Sequence, residues 1–410
     1  MRRRVVACID AQRWLRPLLD SVRRQFPARD VFVIDTVGKD VTADPDRAVL
    51  NGSDRVRASE SVARLVERDA LILLAATRGE TTSIGEHVLL RDSPLTWSIE
   101  GSGGTKELRG RTEDEAVDRI ARWLMMGSVG LALGAGGAYG FAHFGLLHVL
   151  EEAGIPIDVV TGTSMGSIAA ATVATGIPSR RTIDHIHRVA TRYRSIVMRD
   201  LDWWGRTLLT GAGVRRILEE LDELRRATFE TLLIPFEAVA MDVGNGTEVA
   251  ISSGSVLDAI QASIAMPGIF PTCRRGERHL VDGAMVNPVP VDRARALGAD
   301  VVVAVQPIPP LQEPRADHAR SNIFNRIPLG PLRGGMDSLG TSIRSFQSLW
   351  YKLASAAALT GDIAVAPDLR AFWFLQFGAA PQLIEAGERH ARQLLPEIRA
   401  ALAARTGLVA

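Results

Sequence analysis

Hydrophobic residues follow two patterns along this chain: short β-branched runs, and longer segments in which apolar residues recur every three or four positions. Val129–Leu133, Ile157–Thr161 and Val301–Gln306 are runs of the first kind. Such runs predict buried strands, and the helical spacing between them predicts the connecting helices. The alternation of the two patterns predicts an α/β fold with a mainly parallel sheet.

The first part of the chain repeats this pattern on a smaller scale. We therefore expect a small α/β N-terminal domain over residues 1–125, without an assigned role, followed by a second domain over residues 126–410. Within the second domain, residues 307–340 are rich in Pro, Arg and Gly and lack periodicity, which predicts a mobile surface insertion. The strands and helix predicted in the first domain are Val5–Ile9, Gln12–Gln25, Val31–Ile34 and Ala70–Leu74.

Composition narrows the classes of function. The 48 Lys and Arg residues nearly balance the 47 Asp and Glu residues, so the net charge of +1 gives no reason to expect a nucleic-acid partner. The two cysteines, Cys8 and Cys273, cannot build a disulfide framework and have no companions at metal-ligand spacing. The apolar run Val5–Ile9 ends at Asp10 and is too short for a signal peptide. These features predict a cytoplasmic protein.

A Gly-x-Ser-x-Gly motif, Gly162–Gly166, lies between the predicted strand Ile157–Thr161 and the predicted helix Ser167–Ala174. Strand, tight turn and helix form the context in which this motif presents a nucleophilic serine. The two glycines allow a sharp turn, and the helix N-terminus favours negative charge beside Ser164. On this motif alone, a nucleophilic serine and an ordinary strand-to-helix turn are equally supported.

A glycine-rich loop, Gly134–Gly140, lies one strand–helix unit before the serine. One interpretation is a dinucleotide site, but the sixth position of the required G-x-G-x-x-G is Tyr139. The other is an oxyanion hole, in which backbone N–H groups face the charge of a tetrahedral intermediate. A right-handed crossover places both turns at the same end of a parallel sheet, which favours the oxyanion hole. A purely structural turn is the third interpretation.

A third motif, Asp282-Gly283-Ala284, follows another predicted strand. It is either an ordinary Asp-Gly turn or the partner of Ser164. A Ser-His-Asp triad would also need a histidine, and His279 lies closest to the motif. His143 and His148 precede the serine on an apolar helix and are interpreted as packing residues. The histidines that follow the serine, of which we expect the first two to be solvated, are His185, His187, His279, His318 and His390.

Together these motifs resemble the patatin-like phospholipase family. Residues from about 129 to 400 are similar to its bacterial branch, which is related to the catalytic domain of neuropathy target esterase. The glycine-rich loop, the serine motif and the Asp-Gly-Ala motif stand in the family's order. The N-terminal domain resembles, more weakly, the segment that precedes that catalytic domain. Further segments that resemble the family are Gly154–Asp158, Ser263 with Pro267 and Pro271, and Asn287–Pro290.

The resemblance implies a patatin-like three-layer fold with a mainly parallel central sheet. It implies a serine esterase or lipid acyl hydrolase, of the phospholipase A or lysophospholipase type, that uses a Ser–Asp dyad. Ser164 would be the nucleophile and Asp282 the general base, and neither a metal nor a cofactor is implied. The expected oxyanion hole consists of the N–H groups of Gly136, Gly137 and Ala138. The glycines expected to support these motifs are Gly134, Gly140, Gly162, Gly166 and Gly283.

The resemblance also bears on partners and location. It implies a lipid or lysophospholipid substrate, and peripheral contact with the inner face of the membrane is compatible with a cytoplasmic protein. It implies no oligomeric state.

Two positions depart from the family's Gly-Gly-Gly-Gly-x-Arg-Gly loop. Ala135 replaces a glycine, and its methyl group is tolerated if its φ angle is negative. Tyr139 replaces the arginine, which bears on loop anchoring and substrate choice. Three alternatives therefore remain open: a catalytically weakened binding or regulatory protein, a Ser-His-Asp esterase, and a nucleotide-binding protein.

Overall fold

The computed structural model describes residues 5–9, 12–26, 31–35, 71–76, 87–93, 95–101, 104–202, 207–310 and 333–406. These residues form two compact units. One contains the described residues up to 128 together with those from 399 onwards, and the other comprises residues 129–398. Each unit has its own β-sheet.

The elements of the first unit are β1 (Val5–Ile9), α1 (Gln12–Gln25), β2 (Val31–Asp35), β3 (Leu71–Ala76), β4 (His87–Ser93), β5 (Thr96–Gly101), β6 (Gly104–Arg109) and α2 (Glu113–Leu124). The strands form one sheet in the order β2-β3-β1-β4-β5-β6. The first four strands of this order pair in parallel, and the last three form an antiparallel meander. The apolar pattern predicts α1 and the first three strands but misses the meander, because polar residues such as Lys106, Glu107 and Arg109 dilute its apolar alternation.

The remaining elements are β7 (Val129–Leu133), α3 (Ala142–Glu152), β8 (Val159–Thr163), α4 (Met165–Ala174), α5 (Ser179–Asp200), α6 (Ala212–Glu219), α7 (Asp222–Arg226), β9 (Phe236–Asp242), β10 (Glu248–Ile251), α8 (Val256–Ser263), β11 (Cys273–Arg275), β12 (Arg278–Asp282), α9 (Val291–Ala296), β13 (Val301–Val305), α10 (Arg333–Ala358), β14 (Ile363–Val365) and α11 (Ala380–Thr406). Short 3₁₀ turns complete them. The strands form an eight-stranded sheet in the order β11-β12-β9-β8-β7-β13-β14, with β10 paired to β9.

The centre of this sheet is parallel and one end is antiparallel. The five strands β9-β8-β7-β13-β14 pair in parallel. By contrast, β10 and β12 both run antiparallel to β9, and β11 runs antiparallel to β12. The prediction of an α/β fold with a mainly parallel central sheet is therefore confirmed.

The central strands are buried along their whole length, which explains their continuous apolar sequences. Every residue of β7, β8 and β13 is buried. Helices α9 and α10 pack on the side chains of Ala132, Val302 and Ala304, while α4 and α8 contact β8 and β9. The apolar helix α3 connects the first two of these strands and is followed by Gly154, whose φ of +68° is typical of the residue just after a helix C-terminus.

The predicted mobile insertion at residues 307–340 differs from the structure in its described parts. Pro307, Ile308 and Pro309 are buried, and Ile308 belongs to a core cluster. Helix α10 already begins at Arg333, so residues 333–340 are helical. The prediction for residues 311–332 lies outside the described residues.

Candidate active site

Ser164 occupies the turn between β8 and α4, with φ 55° and ψ −124°. It is one of two described non-glycine residues with a positive φ angle. A backbone in this region costs about 1–3 kcal/mol and persists only where the surroundings fix it. The strand includes Gly162 and Thr163, so it ends later than its apolar pattern predicts and runs directly into the serine.

The two glycines of this motif are required by close backbone contacts. A Cβ atom on Gly162 would lie 2.4 Å from the carbonyl oxygen of Gly166. A Cβ atom on Gly166 would lie 2.0 Å from the carbonyl oxygen of Leu133, at the end of β7. Any side chain at either position would therefore push α4 away from the sheet and displace the serine.

The hydroxyl of Ser164 donates a hydrogen bond to Asp282. The distance from Ser164 Oγ to Asp282 Oδ2 is 2.6 Å, and Asp282 Oδ1 accepts the N–H of Ala284 at 2.9 Å. Asp282 is buried, with 5% of the residue's surface exposed. Burial raises the pKa of Asp282 to about 6, although both hydrogen bonds oppose the shift. The sequence-predicted nucleophile and base are thus brought together.

Asp282 reaches the serine from an antiparallel strand. In the register of the sheet, Thr163 lies beside Val239 of β9, and Asp282 lies beside Ala240 of the same strand. Strand β9 continues past the end of β8, and β12 runs back along that extension until it ends at Asp282. The carboxyl and the hydroxyl therefore meet at the same level of the sheet, separated by one strand.

Ser263, at the end of α8, fixes the backbone of the serine turn. Its hydroxyl accepts the N–H of Ser164 at 2.9 Å and donates to the carbonyl oxygen of Val239 at 2.6 Å. Ser263 is fully buried. This contact satisfies an amide that would otherwise be left unpaired by the strained turn. The motif resemblance singles out Ser263 without assigning it this contact.

The glycine-rich loop presents fewer open amides than the resemblance implies. The N–H of Ala138 donates to the carbonyl oxygen of Phe374 at 2.8 Å, so Ala138 is not available as an oxyanion donor. Among the described residues, the amides of Gly136 and Gly137 have no hydrogen-bond acceptor. Gly137 has φ +53° and lines the same cavity as Ser164. The candidate oxyanion hole therefore consists of Gly136 and Gly137.

Both departures from the family loop are accommodated. Ala135 is not among the described residues with a positive φ angle, and its amide donates to the carbonyl oxygen of Pro288 at 2.8 Å. Tyr139 is buried, donates its hydroxyl to the carbonyl oxygen of Phe372 and accepts from Gln347 Nε2, both at 3.3 Å. Tyr139 thus fixes the loop through two hydrogen bonds in a buried position. A charged side chain such as arginine would need a counter-charge there.

Two histidines before the serine have polar partners as well as packing contacts. Nε2 of His143 hydrogen bonds to the carbonyl oxygen of Gly134 at 2.8 Å. Burial lowers the pKa of His143 to about 4, so the ring is neutral and Nε2 is the donor. Nδ1 of His148 lies 3.0 Å from Ser179 Oγ.

The later histidines do not complete a triad in the described structure. The prediction that His185 is solvated is wrong: its ring is buried, Nε2 donates to the carbonyl oxygen of Ile217 at 3.0 Å, and burial lowers its pKa. His187 and His279 are exposed. His390 lies on α11, and burial lowers its pKa too. The prediction for His318 lies outside the described residues.

Ser164 and Asp282 open onto an apolar cavity of about 220 Å³. Helices α4, α5 and α6 supply much of its wall. Its few polar side chains include His185 and Tyr193, and burial raises the pKa of Tyr193 to about 12. Apolar residues of the wall include Phe144, Ile168, Ile186, Val189, Val214 and Leu218. The cavity thus joins a reactive polar end to a space suited to hydrocarbon.

Other kinds of site are not found in the part of the chain that the structure describes. No group of three His, Cys, Asp or Glu side chains among those residues is placed to hold a metal ion. Within the same ranges, no helix combines the length and apolar character needed to cross a membrane.

Parts of this chain are similar to known proteins. The human patatin-like phospholipase domain-containing protein 6 is 33% identical over 191 residues, which cover 46% of this chain and 14% of that protein. The uncharacterized NTE family protein Rv1063c of Mycobacterium tuberculosis is 34% identical over 181 residues, 43% of this chain and 48% of that protein. The chain thus matches about half or less of the length of these relatives. A solved structure, VipD from Legionella pneumophila, aligns with a TM-score of 0.36 and 14% identity over 78% of this chain and 72% of that one.

A family model confirms the resemblance seen in the motifs. The model described as patatin-like phospholipase matches residues 131–295. This range contains the glycine-rich loop, Ser164, Ser263 and Asp282. Over residues 131–295 the chain is therefore similar to the patatin-like phospholipase family.

Proposed function

We propose that this protein is a serine esterase that hydrolyses lipid acyl esters, of the phospholipase or lysophospholipase type, in the cytoplasm. The observation that carries the proposal is the 2.6 Å hydrogen bond from Ser164 to a buried Asp282 at the end of an apolar cavity. The cavity would hold the acyl chain, and the open amides of the glycine-rich loop would face the ester carbonyl. No histidine is required.

The first half of the reaction forms an acyl-enzyme. Asp282 accepts the proton of Ser164 as the serine oxygen attacks the ester carbonyl carbon. The carbonyl oxygen becomes negatively charged and is stabilised by the N–H groups of Gly136 and Gly137 and by the N-terminus of α4. When the intermediate collapses, the bond to the alcohol breaks, and the alcohol oxygen takes the proton from Asp282.

The second half releases the fatty acid. A water molecule replaces the alcohol, gives a proton to Asp282 and attacks the acyl carbon. The same two amides stabilise the second tetrahedral intermediate. When it collapses, Ser164 recovers its proton from Asp282 and the carboxylic acid leaves.

The raised pKa of Asp282 predicts the pH dependence of the reaction. Only the ionised carboxyl can accept a proton, so kcat/KM for a soluble short-chain ester should rise with pH to a midpoint at about 6 and stay level above it. The midpoint should be the same at two temperatures, because carboxyl ionisation has little enthalpy, whereas the midpoint of an imidazole falls on warming. A midpoint that moves with temperature would favour a triad with histidine. If kcat/KM stays constant down to the pKa of a free carboxyl, the prediction that burial raises the pKa of Asp282 is wrong.

A panel of esters tests the proposed activity. Phospholipids, lysophospholipids and p-nitrophenyl esters of increasing chain length should release acid or alcohol with the unaltered protein and not with Ser164→Ala, which serves as the blank. A fluorophosphonate probe should label the unaltered protein at Ser164 only. Folded protein that neither reacts with the probe nor hydrolyses any ester would support the alternative of a binding or regulatory protein.

A further inference from the structure

Helix α10 has a buried side and an adjoining exposed side. Trp350 and Ala354 are buried, with 3% and 0% of their surface exposed. Phe346, Leu349 and Leu353 are exposed by 40%, 51% and 40%. Residues spaced by three and four positions lie on the same side of a helix, so the three exposed side chains form one apolar stripe.

The charged residues along this part of α10 are basic. Lys352 is exposed on the same side of the helix. The sequence contains no Asp or Glu from Ser338 to Gly361, while Arg344 and Lys352 are basic. An apolar stripe with an exposed lysine beside it is complementary to the surface of a bilayer that contains anionic lipid.

The buried side of α10 contacts the glycine-rich loop. The ring of Trp350 stacks on that of Phe374 with their centres 5.7 Å apart, and the carbonyl oxygen of Phe374 accepts the Ala138 amide. Gln347 donates to the hydroxyl of Tyr139. Phe346 of the stripe in turn stacks on Trp350, with ring centres 5.6 Å apart, so the stripe is connected to the loop that faces Ser164 through Trp350 and Phe374.

We propose that the exposed side of α10, formed by Phe346, Leu349, Lys352 and Leu353, docks on a membrane surface containing anionic lipid. The aromatic and leucine side chains enter the boundary between head groups and acyl chains, and Lys352 pairs with lipid phosphate. Docking brings the glycine-rich loop next to the bilayer, from which an ester can enter the cavity. The choice of lipid as the occupant rests on the proposed function, whereas the docking itself can be measured without catalysis.

Vesicle binding tests this proposal in the Ser164→Ala protein, so that no lipid is hydrolysed. Phosphatidylcholine vesicles with and without phosphatidylglycerol are sedimented with the protein, and the bound fraction is measured. The double variant Leu349→Glu/Leu353→Glu should lower the partition coefficient on anionic vesicles at least tenfold. Lys352→Glu should weaken binding to anionic vesicles more than to neutral ones.

Val243→Glu provides the matched control. Val243 follows β9 and is 51% exposed, the same fraction as Leu349, but it lies outside α10. This variant should bind vesicles as the parent does. The proposal is overturned if the parent does not bind, if the double variant binds like the parent, or if Val243→Glu loses binding equally.

Two further measurements separate other outcomes. Light scattering after gel filtration reports the oligomeric state, and a parent dimer that becomes monomeric in the double variant would assign the stripe to a second copy of the chain instead. Hydrolysis of a soluble short-chain ester, measured with Ser164 intact, should be unchanged by Leu349→Glu/Leu353→Glu. If the double variant loses vesicle binding but still hydrolyses the soluble ester, the docking proposal is supported. If the protein with Ser164 intact hydrolyses no ester while vesicle binding is retained, only the proposed function is rejected.

Discussion

Replacing Asp282 by asparagine is expected to reduce kcat for ester hydrolysis by roughly 10²–10⁴-fold. The amide has nearly the shape of the carboxyl and can still hydrogen bond to Ser164 and Ala284, but it cannot take the serine proton. The measurement is kcat for a p-nitrophenyl ester, together with the rate of fluorophosphonate labelling. A variant that retains full activity would contradict the Ser–Asp dyad.

The same substitution should not weaken the fold at alkaline pH. Because the folded-state pKa of Asp282 is about 6, above its ordinary value of 3.8, the unfolded chain loses its proton first and stability falls as pH rises between the two values. Above pH 6 the ionised, buried carboxyl lowers the free energy of unfolding by about 3 kcal/mol, at 1.36 kcal/mol per pKa unit. A neutral asparagine does not carry this penalty. Thermal unfolding at pH 8 should therefore show Asp282→Asn at least as stable as the parent.

Asp158→Asn is a suitable control for this experiment. Asp158 is also a buried carboxyl, and its Oδ2 accepts the Val129 amide at 3.0 Å, at the start of β7 and β8. Its replacement should leave the activity of the folded protein near that of the parent. Equal losses of activity in the two variants would show that Asp282 acts through the fold and not through the proton.

Replacing Gly137 by alanine is expected to reduce kcat by roughly 10²–10³-fold, the typical cost of losing one oxyanion donor. The new Cβ would lie 2.8 Å from both the carbonyl oxygen and the ring of Phe374, so the loop must move and carry its open amides with it. The effect should appear in kcat and not in KM, because the donors act mainly on the transition state. Steady-state kinetics on a soluble ester measures both.

Gly246→Ala is the control for backbone strain. It places a side chain at a positive φ angle, as Gly137→Ala does, but displaces no neighbouring atom. Gly246 has φ +71°, but no atom lies within 4 Å of its Cβ position in the turn between β9 and β10. The variant should lose some stability and keep its kcat. Activity in Gly137→Ala within about threefold of the parent would exclude the Gly136–Gly137 pair as the main oxyanion donors.

The local parts of the site could be predicted from the sequence, because each is a short motif with its own backbone requirement. The Ser164 turn and the glycine-rich loop both occur where strand, turn and helix signals place them. The partnership with Asp282 followed only from resemblance to a family. No local signal indicates that β9 continues past β8 or that β12 runs back along it, and these long-range pairings bring the carboxyl to the serine.

Tertiary contacts also explain why two polar groups differ from their predicted state. Ala138 looks like an open donor in a glycine-rich loop, but a carbonyl more than 200 positions later, that of Phe374, occupies its amide. His185 looks solvated on a polar helix, but its ring faces Ile217 and the cavity. Whether a polar group is free depends on distant partners, which periodicity does not report.

The pairing of β12 with β9 has a consequence for protein engineering. A strand shifted by one residue presents every side chain on the opposite side of its sheet, so a deletion inside β12 would turn Asp282 away from the serine. The turn at Gly276, with φ +61° and open space around it, can absorb a change of length without such a shift. In a library of insertions and deletions, ester cleavage would therefore identify the variants in which β12 has kept its register with β9.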